Sequence, residues 1–204
     1  MKLVVGLGNP GPEYADTRHN AGFRIVERLA QRHGIVLRRE RRLGARLGAG
    51  SVRGVGVTLL EPQGFMNCSG GAVAAALAEL ALADPGADLL IVYDDLDLPF
   101  GRLRIRPGGG AGGHRGLADV QDRLGRSDFP RLRFGIGRPP PGVDPVDHVL
   151  APFAVEEAAQ LPALVDAAAD AIEAILSEGV EAAIGRFNPD GGQSPREGKK
   201  APKG

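Results

Sequence analysis

The chain has one cysteine, Cys68, and no tryptophan in 204 residues. A single thiol excludes an internal disulfide, and cysteine usage gives no sign of an oxidising compartment. Aromatic residues amount to only 4%, which excludes an interface that works mainly by stacking many bases on rings. Net charge is also missing: 25 Lys and Arg balance 25 Asp and Glu. The molecule as a whole therefore does not steer a polyanion. No uninterrupted apolar run approaches membrane-spanning length. The N-terminus enters a strand pattern with no charged-then-apolar leader. These absences set the expectation of a cytoplasmic protein without a membrane partner.

What is present is enough apolar residue, 43%, to bury a core within one domain. Residues 2–8 read as a buried strand. Ala21–His33 places Phe23, Val26, Leu29 and Ala30 at helical spacing, with Gly34 as its stop. Residues 43–49 and 52–60 read as two strands around a Gly50-Ser51 turn. Ser69–Leu82 is Ala-rich and helical, with Asn67 or Ser69 as its cap. Leu89–Tyr93 is an apolar strand that runs into Asp94 and Asp95. Arg102–Arg106 alternates Arg with Leu and Ile, a half-exposed strand with its basic side outward. A loop with five glycines in six residues, Gly108–Gly113, precedes a helix at His114–Leu124 and a strand at Leu132–Ile136. Pro139-Pro140-Pro141 marks a stiff loop, and Val155–Ser177 and Val180–Phe187 read as helices. The expected fold is α/β: a single-domain three-layer sandwich, its mixed, mostly parallel central sheet flanked by helices. Residues 1–187 form that domain, and 188–204, with no apolar stripe, a flexible polar tail.

Charge is unevenly spread despite the zero sum. Residues 100–138 hold nine arginines against three aspartates, a local excess of six. Such a patch suits contact with phosphate.

Gly6-x-Gly8-x-x-Gly11 after the first strand matches the dinucleotide-binding pattern. That reading needs backbone amides around the third glycine to hold a pyrophosphate. Pro10 and Pro12 bracket Gly11 and remove two of those donors. Glu13–Asn20 has no apolar helical stripe, and no strand ending in an acid follows at the required distance. The nearest candidate, Ile35–Leu37, ends in Arg38-Arg39 and suits at best a 2′-phosphate.

The same segment offers hydrolytic chemistry instead. Ester hydrolysis at neutral pH needs a base for water, a group that holds the base, and donors for the carbonyl oxygen. His19 has the right intrinsic pKa for the base. Asp94 or Asp95, just past a buried strand, can accept a hydrogen bond from it and stabilise the imidazolium. Asn9 and Asn67 carry amides that both donate and accept. No serine lies in a nucleophile elbow and Cys68 has no neighbouring base in sequence, so direct attack by water is the simpler scheme. Met66 reads as core; His33 and His148 read as structural or exposed. No cluster with metal-ligand spacing is visible, and no cofactor is required.

Together these residues resemble the bacterial peptidyl-tRNA hydrolase family over about residues 2–187. The resemblance rests on Val5-Gly6-Leu7-Gly8-Asn9-Pro10-Gly11, Tyr14, Thr17-Arg18-His19-Asn20-Ala21-Gly22 and Pro62-Gln63-Gly64-Phe65-Met66-Asn67-Cys68-Ser69-Gly70. It continues through Asp94-Asp95-Leu96-Asp97-Leu98-Pro99, Gly112-Gly113-His114-Arg115-Gly116-Leu117 and Leu132-Arg133-Phe134-Gly135-Ile136-Gly137. It implies a monomeric cytoplasmic carboxylic-ester hydrolase that splits peptidyl-tRNA released from stalled ribosomes into peptide and tRNA. By motif position, His19 is the proton acceptor, Asp94 stabilises its basic form and Asn9 holds the peptide carbonyl. Tyr14, Phe65 and Asn67 contact the substrate near its 3′ end, and Arg106 with Arg133 forms a clamp for the 5′-phosphate. One position departs: the family usually has Asn after His114, where this chain has Arg115. A guanidinium only donates, so Arg115 is expected to serve the substrate through a phosphate near the 3′ end. The rivals are a non-catalytic RNA-binding relative, which only Arg115 favours, and the NADP-binding reading set out above.

Overall fold

The computed structural model describes residues 2–188. Along them run β1 (Leu3–Gly6), α1 (Ala21–Arg32), β2 (Arg38–Glu40), β3 (Ala45–Val52), β4 (Val55–Pro62), α2 (Ser69–Glu79), α3 (Pro85–Asp88) and β5 (Leu89–Asp95). They continue with β6 (Leu103–Arg106), α4 (Arg115–Leu124), β7 (Arg131–Gly135), α5 (Pro145–Leu150), α6 (Val155–Glu178) and α7 (Val180–Phe187). Single 3₁₀ turns at Arg18–Asn20 and Met66–Cys68 lead directly into α1 and α2.

One seven-stranded sheet runs in the order β2-β3-β4-β1-β5-β7-β6. Its centre is parallel, with β1 between β4 and β5 and β7 beyond β5. The flanks are antiparallel, β2 and β3 on one side and β6 on the other. Every residue of β1 and β5 is buried, as parallel strands covered on both faces require. Alternate side chains divide between two cores. Val4, Leu59, Leu90 and Val92 pack with Ile25 and Leu29 of α1 and Ile172 of α6. Leu3, Val5, Leu60 and Ile91 pack with Val73 and Leu77 of α2 and Leu117 of α4. This is the expected mixed-sheet sandwich.

Helix α1 buries the stripe read from its spacing, and Gly34, at φ 63°, follows its C-cap in the left-handed conformation. Four details differ from the sequence reading. The β3–β4 turn is at Arg53-Gly54, not Gly50-Ser51: Gly50 pairs with Val57 and Ser51 with Gly56 inside the ladder. Arg53 and Gly54 both have positive φ, 51° and 81°, as a two-residue hairpin loop demands. Gly50 answers a different need, because a side chain there would collide with Ile35. Second, neither Asn67 nor Ser69 caps α2. Its free amide at Gly70 donates instead to Asp119 Oδ2 of α4 at 2.6 Å.

Third, α3 and α5 are additional helices, each opened by an Asp-Pro pair. Asp84 and Asp144 accept from the amides of Gly86 and Val146. Fourth, Asn188, read as the start of the tail, is buried and accepts from the Ile105 amide at 2.8 Å while donating to its carbonyl at 3.0 Å. The remaining tail positions, 189–204, lie outside the described residues.

Candidate active site

The C-terminal ends of β1, β4 and β5 face the same crevice, the place where parallel α/β sheets build sites. Leaving β1, the chain carries Asn9 and then Tyr14 to the 3₁₀ turn that bears His19. Leaving β4, it passes Phe65 and Asn67. β5 delivers Asp94 and Asp95 from its last two positions. The glycine-rich loop closes the remaining side and ends in His114 and Arg115. These residues line one cleft of about 980 Å³, together with Arg106, Arg131 and Arg133. Every site residue read from the sequence is thus brought together.

His19 Nδ1 lies 2.9 Å from both oxygens of Asp94. The carboxylate accepts, so Nδ1 carries the proton and Nε2 keeps its lone pair. Asp94 is only 2% exposed. Burial alone would raise its pKa, but His19 and His114 outweigh this and hold the carboxyl well below the usual range. For His19 the same opposition runs the other way. Burial disfavours the imidazolium, Asp94 favours it more strongly, and the pKa ends above the ordinary value; Arg115 pulls it down. Asp95 does not join this pair; it accepts from Arg133 Nε and from the Asp97 amide.

The sequence reading gave His114 no role. Its Nδ1 accepts from the Leu117 amide at 3.1 Å, capping α4, and its Nε2 is 3.1 Å from Asp94 Oδ1. The cap fixes the tautomer: Nε2 must bear the hydrogen, and it donates to Asp94. The ordered pattern His114-x-x-Leu117 at a helix start is the one signal that could have found it.

Asn9 is held by a second residue the sequence reading missed. Its backbone amide donates to Asn20 Oδ1 at 2.8 Å, and Asn20 Nδ2 donates to its carbonyl at 2.9 Å. The Met66 amide donates to Asn9 Oδ1 at 2.7 Å. With its oxygen engaged, Asn9 has its NH₂ group left for the cleft. Tyr14 and Phe65 meet edge to face, centroids 6.2 Å apart, and Phe65 is 58% exposed. Asn67 is exposed beside it, followed by the exposed Cys68.

On the opposite wall, β6 and β7 set Arg104 against Arg133 and Arg106 against Arg131. Like charges directly opposite cost stability. Arg133 is offset by Asp95. Arg131, the third residue missed, is 2% exposed and donates to the carbonyls of Gly110 and Ser127 at 3.0 and 2.8 Å. It thereby ties the glycine-rich loop to the strand.

No metal cluster was visible in the sequence, yet folding gathers one triad. The ligand atoms of His19, Asp94 and His114 lie within 4.8 Å of one another. Both imidazoles already donate to the carboxylate, so a cation there would have to break those hydrogen bonds. His33 contacts Glu173 at 3.1 Å and His148 is buried, both outside the cleft. No helix among the described residues is long and apolar enough to cross a membrane.

Comparison with known proteins places the chain. The family model for peptidyl-tRNA hydrolase matches residues 3–197. The peptidyl-tRNA hydrolase of Chloroflexus aggregans is 51% identical over 93% of this chain and its own full length. That of a Roseiflexus species is 48% identical over 98% of this chain and 92% of its own. A crystal structure of the Acinetobacter baumannii peptidyl-tRNA hydrolase superposes with a TM-score of 0.86 at 38% identity, covering 93% of this chain and 95% of that one. With its fold, its motifs and its whole folded length in agreement, the chain belongs to the peptidyl-tRNA hydrolase family.

Proposed function

We propose that this protein hydrolyses the ester bond between peptide and tRNA in peptidyl-tRNA free of the translating ribosome, releasing peptide and reusable tRNA. The observation that carries this reading is His19, its Nδ1 pinned to buried Asp94 and its Nε2 left as a base in the cleft that Asn9 also lines. Nε2 takes a proton from water as the water oxygen attacks the ester carbonyl carbon. Asp94 stabilises the resulting imidazolium. Asn9 NH₂ donates to a carbonyl of the peptide. As the tetrahedral adduct collapses, the C–O bond to the terminal ribose breaks, and the departing ribose oxygen takes the proton back from His19. Neither metal nor cofactor is needed for these steps.

Phe65, Tyr14 and Asn67 offer the 3′ end an exposed ring, its partner ring and an amide. Arg106 and Arg133 hold the 5′-phosphate, and Arg115 serves the nucleotide end of the ester. Two cations position a phosphate without reading sequence, which suits an enzyme acting on many tRNAs. The protein works as a cytoplasmic monomer on released peptidyl-tRNA, with stalled large ribosomal subunits as a further partner.

An N-blocked aminoacyl-tRNA incubated with the protein tests this. The parent should cleave the ester, and His19→Ala should cut kcat by about 10²–10⁴-fold. Undiminished turnover in that variant would sink the mechanism; tRNA binding without any cleavage by the parent would favour the non-catalytic RNA-binding reading.

A further inference from the structure

Arg115 opens α4 as its first residue, directly after His114. It is exposed and lines the cleft. Among the described residues it has no hydrogen bond and no ion pair. This is a poor place for an uncompensated cation. The first turn of a helix is its positive end, where a carboxylate stabilises and a guanidinium does the reverse. The nearest buried acid, Asp94, already accepts from both His19 and His114. Residues 107–118 contain no Asp or Glu, and Asp119, one turn along α4, accepts from the Gly70 amide. The position therefore holds a cation with no ion pair among the described residues at the positive end of a helix, which is the arrangement expected where the counter-anion comes from outside.

The ligand chemistry follows from the reaction already assigned, on which this inference rests. With the ester carbonyl at His19, the first fixed anion of the substrate is one ribose away: the phosphodiester on the 5′ side of the terminal nucleotide. A guanidinium meets two phosphate oxygens with two parallel N–H donors. An amide in its place offers less, being uncharged. We propose that Arg115 is a substrate-positioning residue that binds this terminal phosphodiester, so that the chain grips its substrate by charge close to the scissile bond as well as at the distant clamp.

Arg115→Asn tests it on two substrates, an N-blocked aminoacyl-tRNA and the same amino acid esterified to adenosine, which has no phosphodiester. On the tRNA, KM should rise about tenfold, one charge-assisted contact, with kcat within about twofold. On the nucleoside ester, assayed well above the acid limb where His19 is neutral in both proteins, the loss in kcat/KM should be several-fold smaller than on the tRNA. Arg115→Lys keeps the charge but not the fork, and its KM on tRNA should fall between the two. An unchanged KM on tRNA in the active variant overturns the proposal alone. Equal losses on both substrates above the acid limb also overturn it, because Arg115 would then act on the reacting atoms. If the parent cleaves neither, the esterase reading fails and takes this one with it.

Discussion

His19 sits between opposed charges, and each can be removed singly. Asp94 raises its pKa and Arg115 lowers it. As the proposed base, His19 works only when neutral, so activity should fall as pH drops through that pKa. Asp94→Asn takes away the charge that favours the imidazolium. The acid limb of kcat/KM should move to lower pH while kcat falls by about 10²-fold or more. Arg115→Asn should move the same limb to higher pH. A pH profile of ester cleavage separates the two, and limbs that coincide with the parent's would refute the electrostatic account. At this scale much was legible. Asn9, His19 and Asp94 stand in motifs whose residue types already suit hydrolysis. Asn20, His114 and Arg131 were not legible in their roles. Each acts through a contact to a backbone group or carboxylate whose position depends on how the loops travel.

The elements explain why His19, the proposed base, meets its carboxylate. Gly6 in β1 and Gly22 in α1 touch backbone to backbone, and a Cβ on Gly22 would overlap the carbonyl oxygens of Leu7 and Val92. The start of α1 therefore lies hard against the ends of β1 and β5, which draws the turn bearing His19 onto Asp94. Gly8 is bare for a similar reason, since Phe23 packs where its side chain would be. Two of the three glycines that imitate a dinucleotide fingerprint, Gly6 and Gly8, are thus packing positions, while Gly11, at φ 115°, serves the turn. Gly22→Ala should lower stability by roughly 1–3 kcal/mol through overpacking, read as a lower urea midpoint at unchanged m. A midpoint equal to the parent's would mean that the close approach is dispensable. Long periodic elements such as α1, β5 and α6 were readable from pattern. The short α3 and α5 were not, because one turn of helix shows no period; only their Asp-Pro openings mark them. The β3–β4 turn was misplaced because a glycine required by Ile35 resembles a glycine required by a turn.

For the whole molecule, zero net charge conceals a division of labour. Acids hold Arg28, Arg32, Arg46 and Arg53 in ion pairs on α1, α6 and the β3–β4 hairpin, while four further arginines are gathered on the facing strands β6 and β7. Association with tRNA should therefore depend on salt through a few residues only. Arg106→Ala and Arg133→Ala should each raise KM and flatten its logarithmic dependence on salt by about 0.7–0.9. Arg138→Ala, which loses only an exposed pair with Asp97, should leave the slope alone. Slopes identical in all three variants would remove the clamp. Cys68 adds a practical consequence at the same scale. As the sole thiol of the chain, exposed beside Asn67, it is a native attachment point at the rim of the cleft. A thiol-reactive dye would label the protein at one known place with no engineering, and an optical change on adding tRNA would test whether the 3′ end docks beside Asn67.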